Sequence, residues 1–352
     1  MSDTTIPSRF PDEARAALAL TLVADVGSVT HRQLIERFGT ASRALGDGVP
    51  WELASSAFAR ADAFMACGTA RGLALTTIVD VDYPPRLRDL HDPPAVIWSR
   101  GDWSTLQSPV VAVVGTRRAS AYGQRITRAL VTALTRGGAC IVSGMAVGID
   151  AVAHRTTLEG DGRTVAVLGT GADVAYPRAH SGLLSDIGSR GLVLSELPPE
   201  ARADSGSFPR RNRIIAALAS LTIVVEAPRQ SGALSTAHHA LDLGRDVAAV
   251  PGAIDAPQSE GANRLIREGA HAITSVADAL ALVGLDPPVR LRPALNDESE
   301  KCVWLTLEDG SATLDELCAR TGLPVAQCLS AVTRLELRGI VECALTGEIR
   351  RR

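Results

Sequence analysis

Val110-Val111-Ala112-Val113-Val114, followed by Gly115-Thr116-Arg117-Arg118 and the helical pattern Tyr122–Thr135, opens the stretch that decides the fold. Five consecutive apolar residues suit a strand buried on both faces. The glycine turn and a helix closing at Gly137-Gly138 complete one βα unit. The unit recurs. Strand-like runs follow at Ala139–Ser143, Thr164–Leu168, Leu192–Ser195, Leu221–Glu226 and Asp246–Val250, separated by helical patterns such as Ala233–Leu243, which closes at Gly244. Continuous apolar strands alternating with helices call for a parallel sheet covered on both sides. Residues 109–285 therefore read as an α/β, Rossmann-like, doubly wound domain.

On the amino-terminal side, residues 1–79 read as a small helical domain of short helices. Leu22–Thr30 leading into Leu34–Gly39 fits a helix-hairpin-helix (SAM-like) unit, whose turn amides can hold a DNA phosphate. A plain helical bundle fits these residues equally well. Residues 80–108 form a proline-rich extended connector with Tyr83-Pro84-Pro85, Asp92-Pro93-Pro94 and one short strand, Ala95–Trp98. After a linker over 286–300, residues 301–352 show a winged-helix pattern: Leu314–Arg320, Gly322-Leu323-Pro324, Val325–Arg338 and a hairpin about Gly347. Its seven basic residues balance its seven acidic ones. A strong DNA reader carries an excess of positive charge, so protein contact or a regulatory role is the expectation for this unit.

A formal net charge of −3 confines any phosphate binding to local patches. Lys301 is the only lysine, which excludes chemistry that needs a lysine anywhere upstream, the P-loop included. The six cysteines are scattered without a CxxC pair and read as reduced thiols, neither a disulfide framework nor a zinc site. Met1–Pro11 has no basic-then-apolar leader, and no apolar run is long enough for a membrane span, so a cytoplasmic protein is expected.

Ligands of doubly wound sheets bind beyond the carboxyl ends of the strands. Here those positions carry Gly115–Arg118, Ser143–Gly148, Gly169–Asp173, Phe208–Arg213, Pro228–Gly232 and Pro251-Gly252. Small residues let amides approach an anion, and arginines neutralise it. Phe208-Pro209-Arg210-Arg211-Asn212-Arg213 stands out. Pro209 suits a first helical turn, arginines at a helix start invite an external phosphate, and Phe208 offers a face for a base. From these residues alone a solvated basic turn reads as well as an anion site. Convergence of the loops favours phosphate or nucleotide binding.

Catalytic readings fit less well. Gly169-Thr170-Gly171 begins a dinucleotide fingerprint, but Val174 stands at its third glycine. Asp150 and His154, four apart on a helix, read as a local hydrogen-bonded pair rather than an acid–base couple. Ser143 and Ser231 have no base near in sequence, and the adjacent His238-His239 cannot chelate one metal from a helix.

Together these motifs resemble the DNA processing protein A (DprA/Smf) family. The matching stretches are Tyr83-Pro84, Pro93-Pro94, Gly115–Arg117 with Tyr122-Gly123, Ser143–Asp150 with Ala153-His154, Thr164–Gly169, Asp173, and Tyr176-Pro177. They continue through Ser195-Glu196, Phe208–Arg213, Ser231-Gly232 with Thr236-Ala237, Pro251-Gly252, and Gly261 to Gly269. The resemblance implies a cytoplasmic bacterial protein that binds single-stranded DNA on its Rossmann-like domain. It also implies protection of incoming DNA in natural transformation, loading of the RecA recombinase, work as a homodimer, no catalytic cofactor and no catalytic metal. The resemblance implies that Arg117, Arg210, Arg211 and Arg213 line the DNA pocket with Phe208 as a stacking contact, and the convergent loops add Arg118, Ser143, Gly144, Asn212, Ser231 and Gly232 as expected DNA-binding residues. Thr116 replaces the serine usual in the family, and Arg118 is an addition to the family pattern. The alternative is a nucleotide-binding or nucleoside-monophosphate-processing enzyme of a related Rossmann-like group. The PGGxGTxxE loop of that group is here Pro228–Thr236, Ala237-His238-His239, without its acid.

Overall fold

The apolar runs do become strands, and two further ones join them. In the computed structural model, which describes residues 9–204, 206–286, 295–344 and 347–351, the first unit starts with α1 (Arg9–Thr21), α2 (Ser28–Phe38), α3 (Ala41–Gly48) and α4 (Trp51–Ala70). Next come β1 (Ala74–Thr77), α5 (Pro85–Arg88) and β2 (Val96–Gly101). The alternating region runs β3 (Val110–Val114), α6 (Ala121–Arg136), β4 (Cys140–Ser143), α7 (Ile149–Glu159), β5 (Thr164–Val167), α8 (Ser181–Arg190) and β6 (Leu192–Ser195). It continues through α9 (Ser207–Leu218), β7 (Leu221–Val224), α10 (Gly232–Asp242), β8 (Asp246–Ala249), α11 (Glu260–Arg267), β9 (His271–Ala272) and α12 (Val276–Leu282).

All nine strands lie in one sheet, ordered β1-β2-β6-β5-β4-β3-β7-β8-β9. The seven from β6 to β9 are parallel. β2 pairs antiparallel with β6, and β1 antiparallel with β2, so the connector and the end of the helical region extend the sheet. Strand β3 shows why the domain has a layer on each side. All five of its residues are buried. Val111 and Val113 pack with Leu130, Leu134 and Ile149 on one face, while Val110, Ala112 and Val114 join Ile214 and Ile215 on the other.

The amino-terminal helices match the expected order, but α4 is twenty residues long rather than short. It buries Ala54, Ala57 and Ala61, a small-residue stripe that packs against α1 and carries little of the large apolar periodicity that marks a helix in sequence. Among the described residues no helix is long and apolar enough to cross a membrane.

The second unit begins after Pro288. It contains α13 (Glu298–Thr306), α14 (Leu314–Thr321), α15 (Val325–Leu337) and the hairpin β10 (Val341–Cys343) and β11 (Ile349–Arg351). Gly322, left-handed at φ 70°, ends α14. The arginines of α15 are turned to internal use. Glu300 is fully buried and accepts from Arg334 at 2.9 Å, Arg338 at 2.8 Å and the Asn296 amide at 2.8 Å. The exposed face of α15 carries the large apolar side chains Val325, Leu329 and Leu337 beside Gln327, Ser330, Thr333 and Glu336.

Burial alone would raise the Glu300 pKa, but the Asn296 and Arg334 hydrogen bonds and the Arg338 and Arg334 charges outweigh it and hold the carboxyl below the ordinary glutamate range. A depressed folded pKa contributes stability above the unfolded value, about 4.3, and loses it as pH falls through the folded one. Glu300→Gln should therefore narrow the difference in thermal stability between neutral pH and pH 3. Glu300→Ala, which removes the buried carboxylate that Arg334 and Arg338 share, should cost about 2 kcal/mol in denaturant unfolding.

Candidate nucleic-acid interface

The parallel strands progress from β3 outward to β6 on one side and from β7 outward to β9 on the other. β3 and β7 are neighbours at the reversal. The loops that leave these two strands diverge to opposite sides and open a cleft of about 540 Å³ at the switch point. Thr116, Arg117 and Arg118 line it from the β3 loop, Phe208, Pro209, Arg211 and Asn212 from α9, and Gln230, Ser231 and Gly232 from the β7 loop. Five loops read separately in the sequence thus meet on one edge, and Phe208 and Arg117 touch: the guanidinium carbon stands 5.3 Å from the ring centroid. Gly169, after β5, has no side chain because Phe208 lies over it. A Cβ there would sit 2.8 Å from the ring.

The arginines divide into two classes. Arg117 and Arg118 are exposed, and among the described residues neither has a carboxylate partner. Arg210 is exposed and reaches Glu196 only at 3.4 Å. Arg213, by contrast, is 4% exposed and paired with Glu196 at 2.8 Å and Asp92 at 3.0 Å. Arg211 is 6% exposed and donates to the carbonyls of Gly144, at 2.8 Å, and Val167. Burial pushes its pKa down to about 10, against the charge of Asp150, so it stays charged at neutral pH.

The remaining expected residues are placed as follows. Ser143 lies beneath the edge, fully buried, with its hydroxyl donating to Val113 O at 2.7 Å. Gly144 is buried under Arg211. Asn212 donates to Gly232 O at 3.0 Å and ties α9 to the β7 loop. Ser231 caps α10 by accepting from the Ala233 amide, and Gly232 faces open space.

Two expectations need correction. The start of α9 does not wait for an external anion, because the Asp204 carboxylate accepts from the Gly206 and Ser207 amides at 2.8 and 2.7 Å. Asp150 and His154 each bond elsewhere rather than to each other. Asp150 takes the amides of Gly144 and Ala146 at 3.2 and 3.4 Å, and His154 Nδ1 pairs with Thr164 Oγ1 at 2.7 Å. Burial lowers the His154 pKa to about 3, with Arg211 and His180 adding to the effect, so its imidazole is neutral.

Sequence reasoning left Tyr176, Arg178 and Arg202 out of the site. Tyr176 is half exposed and stacks on Phe208 with centroids 5.0 Å apart. It borders a second cleft of about 750 Å³ with Arg178 and Arg202, both exposed. The available signal was Tyr176-Pro177 followed by an arginine, just beyond the β5 loop. Among the described residues no three or more His, Cys, Asp or Glu side chains are grouped to hold a metal.

The model of the family described as DNA recombination-mediator protein A matches residues 74–284. The chain belongs to that family. A DprA winged-helix domain model matches residues 286–344. Among relatives, Protein Smf of Escherichia coli K12 is 37% identical over 281 residues, 77% of this chain and 75% of its own. Among solved structures, DNA processing protein A from Streptococcus pneumoniae superimposes with a TM-score of 0.69 at 34% identity, covering 76% of this chain and 97% of that one. The Helicobacter pylori protein, whose structure is described as showing a unique single-stranded DNA binding mode, gives a TM-score of 0.56 at 30% identity. It covers 61% of this chain and 98% of that one. The family match spans β1 to α12, and so includes the two antiparallel strands with the parallel ones.

The two classes of arginine predict opposite effects on stability. Arg213→Ala, which takes the buried cation from Asp92 and leaves Glu196 only Arg210 at 3.4 Å, should lower the unfolding free energy by about 3 kcal/mol. Arg117→Ala and Arg118→Ala should stay within about 0.5 kcal/mol of the parent in urea titrations.

Proposed function

We propose that this protein binds single-stranded DNA along the carboxyl edge of its parallel sheet, as a non-catalytic mediator of recombination. The observation that carries this reading is the pair of exposed arginines without carboxylate partners, Arg117 and Arg118, beside Phe208 in the switch-point cleft. Arginine forks match phosphate oxygens, and an aromatic face accepts any base, which suits a strand whose bases are unpaired. The path we assign runs from this cleft past Tyr176 toward Arg178 and Arg202. Family membership supports it, as does the single-stranded DNA binding of the Helicobacter pylori relative.

The Asp150 carboxylate of the cleft is committed to two backbone amides, which supports binding over hydrolysis. We further assign to this protein the family role: protection of incoming strands during transformation and their delivery to RecA, by a cytoplasmic homodimer.

Fluorescence anisotropy with labelled oligonucleotides tests the site. Binding should fall steeply as salt rises, and Arg117→Ala should weaken it by about 1–3 kcal/mol while reducing the salt slope by about one. Phe208→Ala should cost about 1–3 kcal/mol through lost stacking and leave the slope unchanged. Full affinity in the Arg117→Ala, Phe208→Ala double variant would sink the assignment. Release of base from nucleoside monophosphates by pure protein would overturn the non-catalytic reading, and failure to retain purified RecA would remove the delivery role.

A further inference from the structure

Arg211 lies in the cleft, yet it is 6% exposed and its Nη1 and Nε are committed to the fold. Nη1 holds the carbonyls of Gly144 and Val167, and Nε donates to Asn212 Oδ1 at 3.2 Å. Asn212 in turn holds Gly232 O. One helix start thereby fastens the loop after β4, the end of β5 and the loop after β7.

The loop after β4 needs such a fastening. Met145 is fully buried at φ 55° and Gly148 has φ 85°, both left-handed, and a buried Met in that region carries strain. Asp150 grips the loop from below through the Gly144 and Ala146 amides. Its far side backs the loop that presents Arg117. Ile149 N–H donates to Thr116 O at 3.2 Å, and a Cβ on Gly148 would stand 2.8 Å from Arg117 Cα. Contacts therefore run without a gap from the Arg211 guanidinium, through residues 144–149, to Thr116 and Arg117.

We propose that Arg211 is a positioning residue: it sets the loop after β4 and, through it, the backbone that presents Arg117, and makes no phosphate contact of its own. The claim about DNA rests on the function proposed above, whereas the claim about the loops does not. Gly144 supplies an independent handle. A Cβ there would lie 2.6 Å from the Arg211 guanidinium carbon, so Gly144→Ala displaces the group while keeping its charge.

Hydrogen exchange on the full chain tests the loops. Arg211→Gln and Gly144→Ala should both speed exchange in residues 144–149 and 115–118, with β3 and β7 still protected. Unchanged exchange in 115–118 in both variants overturns the proposal, whether or not the protein binds DNA. Gly144→Ala decides this arm if Arg211→Gln fails to fold. Anisotropy against salt tests the contact. Arg211→Gln should weaken oligonucleotide binding about tenfold in the parent, but by less than about twofold, with no further change of slope, in the Arg117→Ala background. A phosphate contact by Arg211 would instead lower the slope by about one in that background too, and would overturn the proposal. Absence of binding by the parent protein would sink the functional reading and with it the DNA claim, leaving exchange to decide the loop claim.

Discussion

The pairing of β3 with β7 governs the rest of this molecule. Three strands and four helices separate the two in the chain, yet Val111 lies opposite Leu221 and Val114 opposite Val224. For β7 to reach that place, α9 must carry the chain back across the face of β3, β4 and β5. Right-handed crossovers on the two sides of the reversal then send the flanking loops apart. The cleft is thus a product of topology before any side chain is considered. The side chains decide what it holds.

Charge is partitioned within it. A run of three arginines and an asparagine in one helical segment looks uniform as a sequence, but its members face different surroundings. Arg210 points out, Arg211 turns inward to backbone carbonyls, and Arg213 is fixed by Glu196 and Asp92. A buried pair adds little net stability over an apolar substitute, yet is costly to break. Such a pair gives a fixed geometry. The exposed Arg117 and Arg118 have no carboxylate partner among the described residues and present planar guanidinium forks to the cleft.

The parallel strands β3 to β8 were legible as short apolar runs alternating with helices, as in Val110–Val114, whereas β9, two exposed residues, was not. The convergence of loops followed from that arrangement. β1 and β2 were not legible as members of the sheet: Ala74–Thr77 is a short edge strand with only two buried residues, both threonines, and its partner lies in a proline-rich stretch. Which arginines face inward was equally hidden, since helical spacing at a helix start does not reveal partners as distant in sequence as Asp92 or Val167. Asp204 showed the same limit. It lies two residues ahead of the N-cap Gly206 and accepts from the Gly206 and Ser207 amides, but the run of arginines drew the reading toward an external anion. Ser143 and Gly144 belong to motifs that the fold needs as much as any ligand does: one bonds to the neighbouring strand, the other leaves room for a guanidinium.

The crossover by α9 also fixes when the binding edge can exist. Its parts are spread from Thr116 to Gly232, and none of the early loops has its partner until α9 and the loop after β7 have emerged. A chain truncated after β6 would retain Arg117 but have no Phe208 beside it, no Arg211 beneath the β4 loop and no loop after β7. Contacts so remote in sequence are slow to close and are won late. The cleft proposed to hold DNA is therefore complete only in a chain that has nearly finished its sheet, and a partly synthesised or partly folded copy lacks several of its walls.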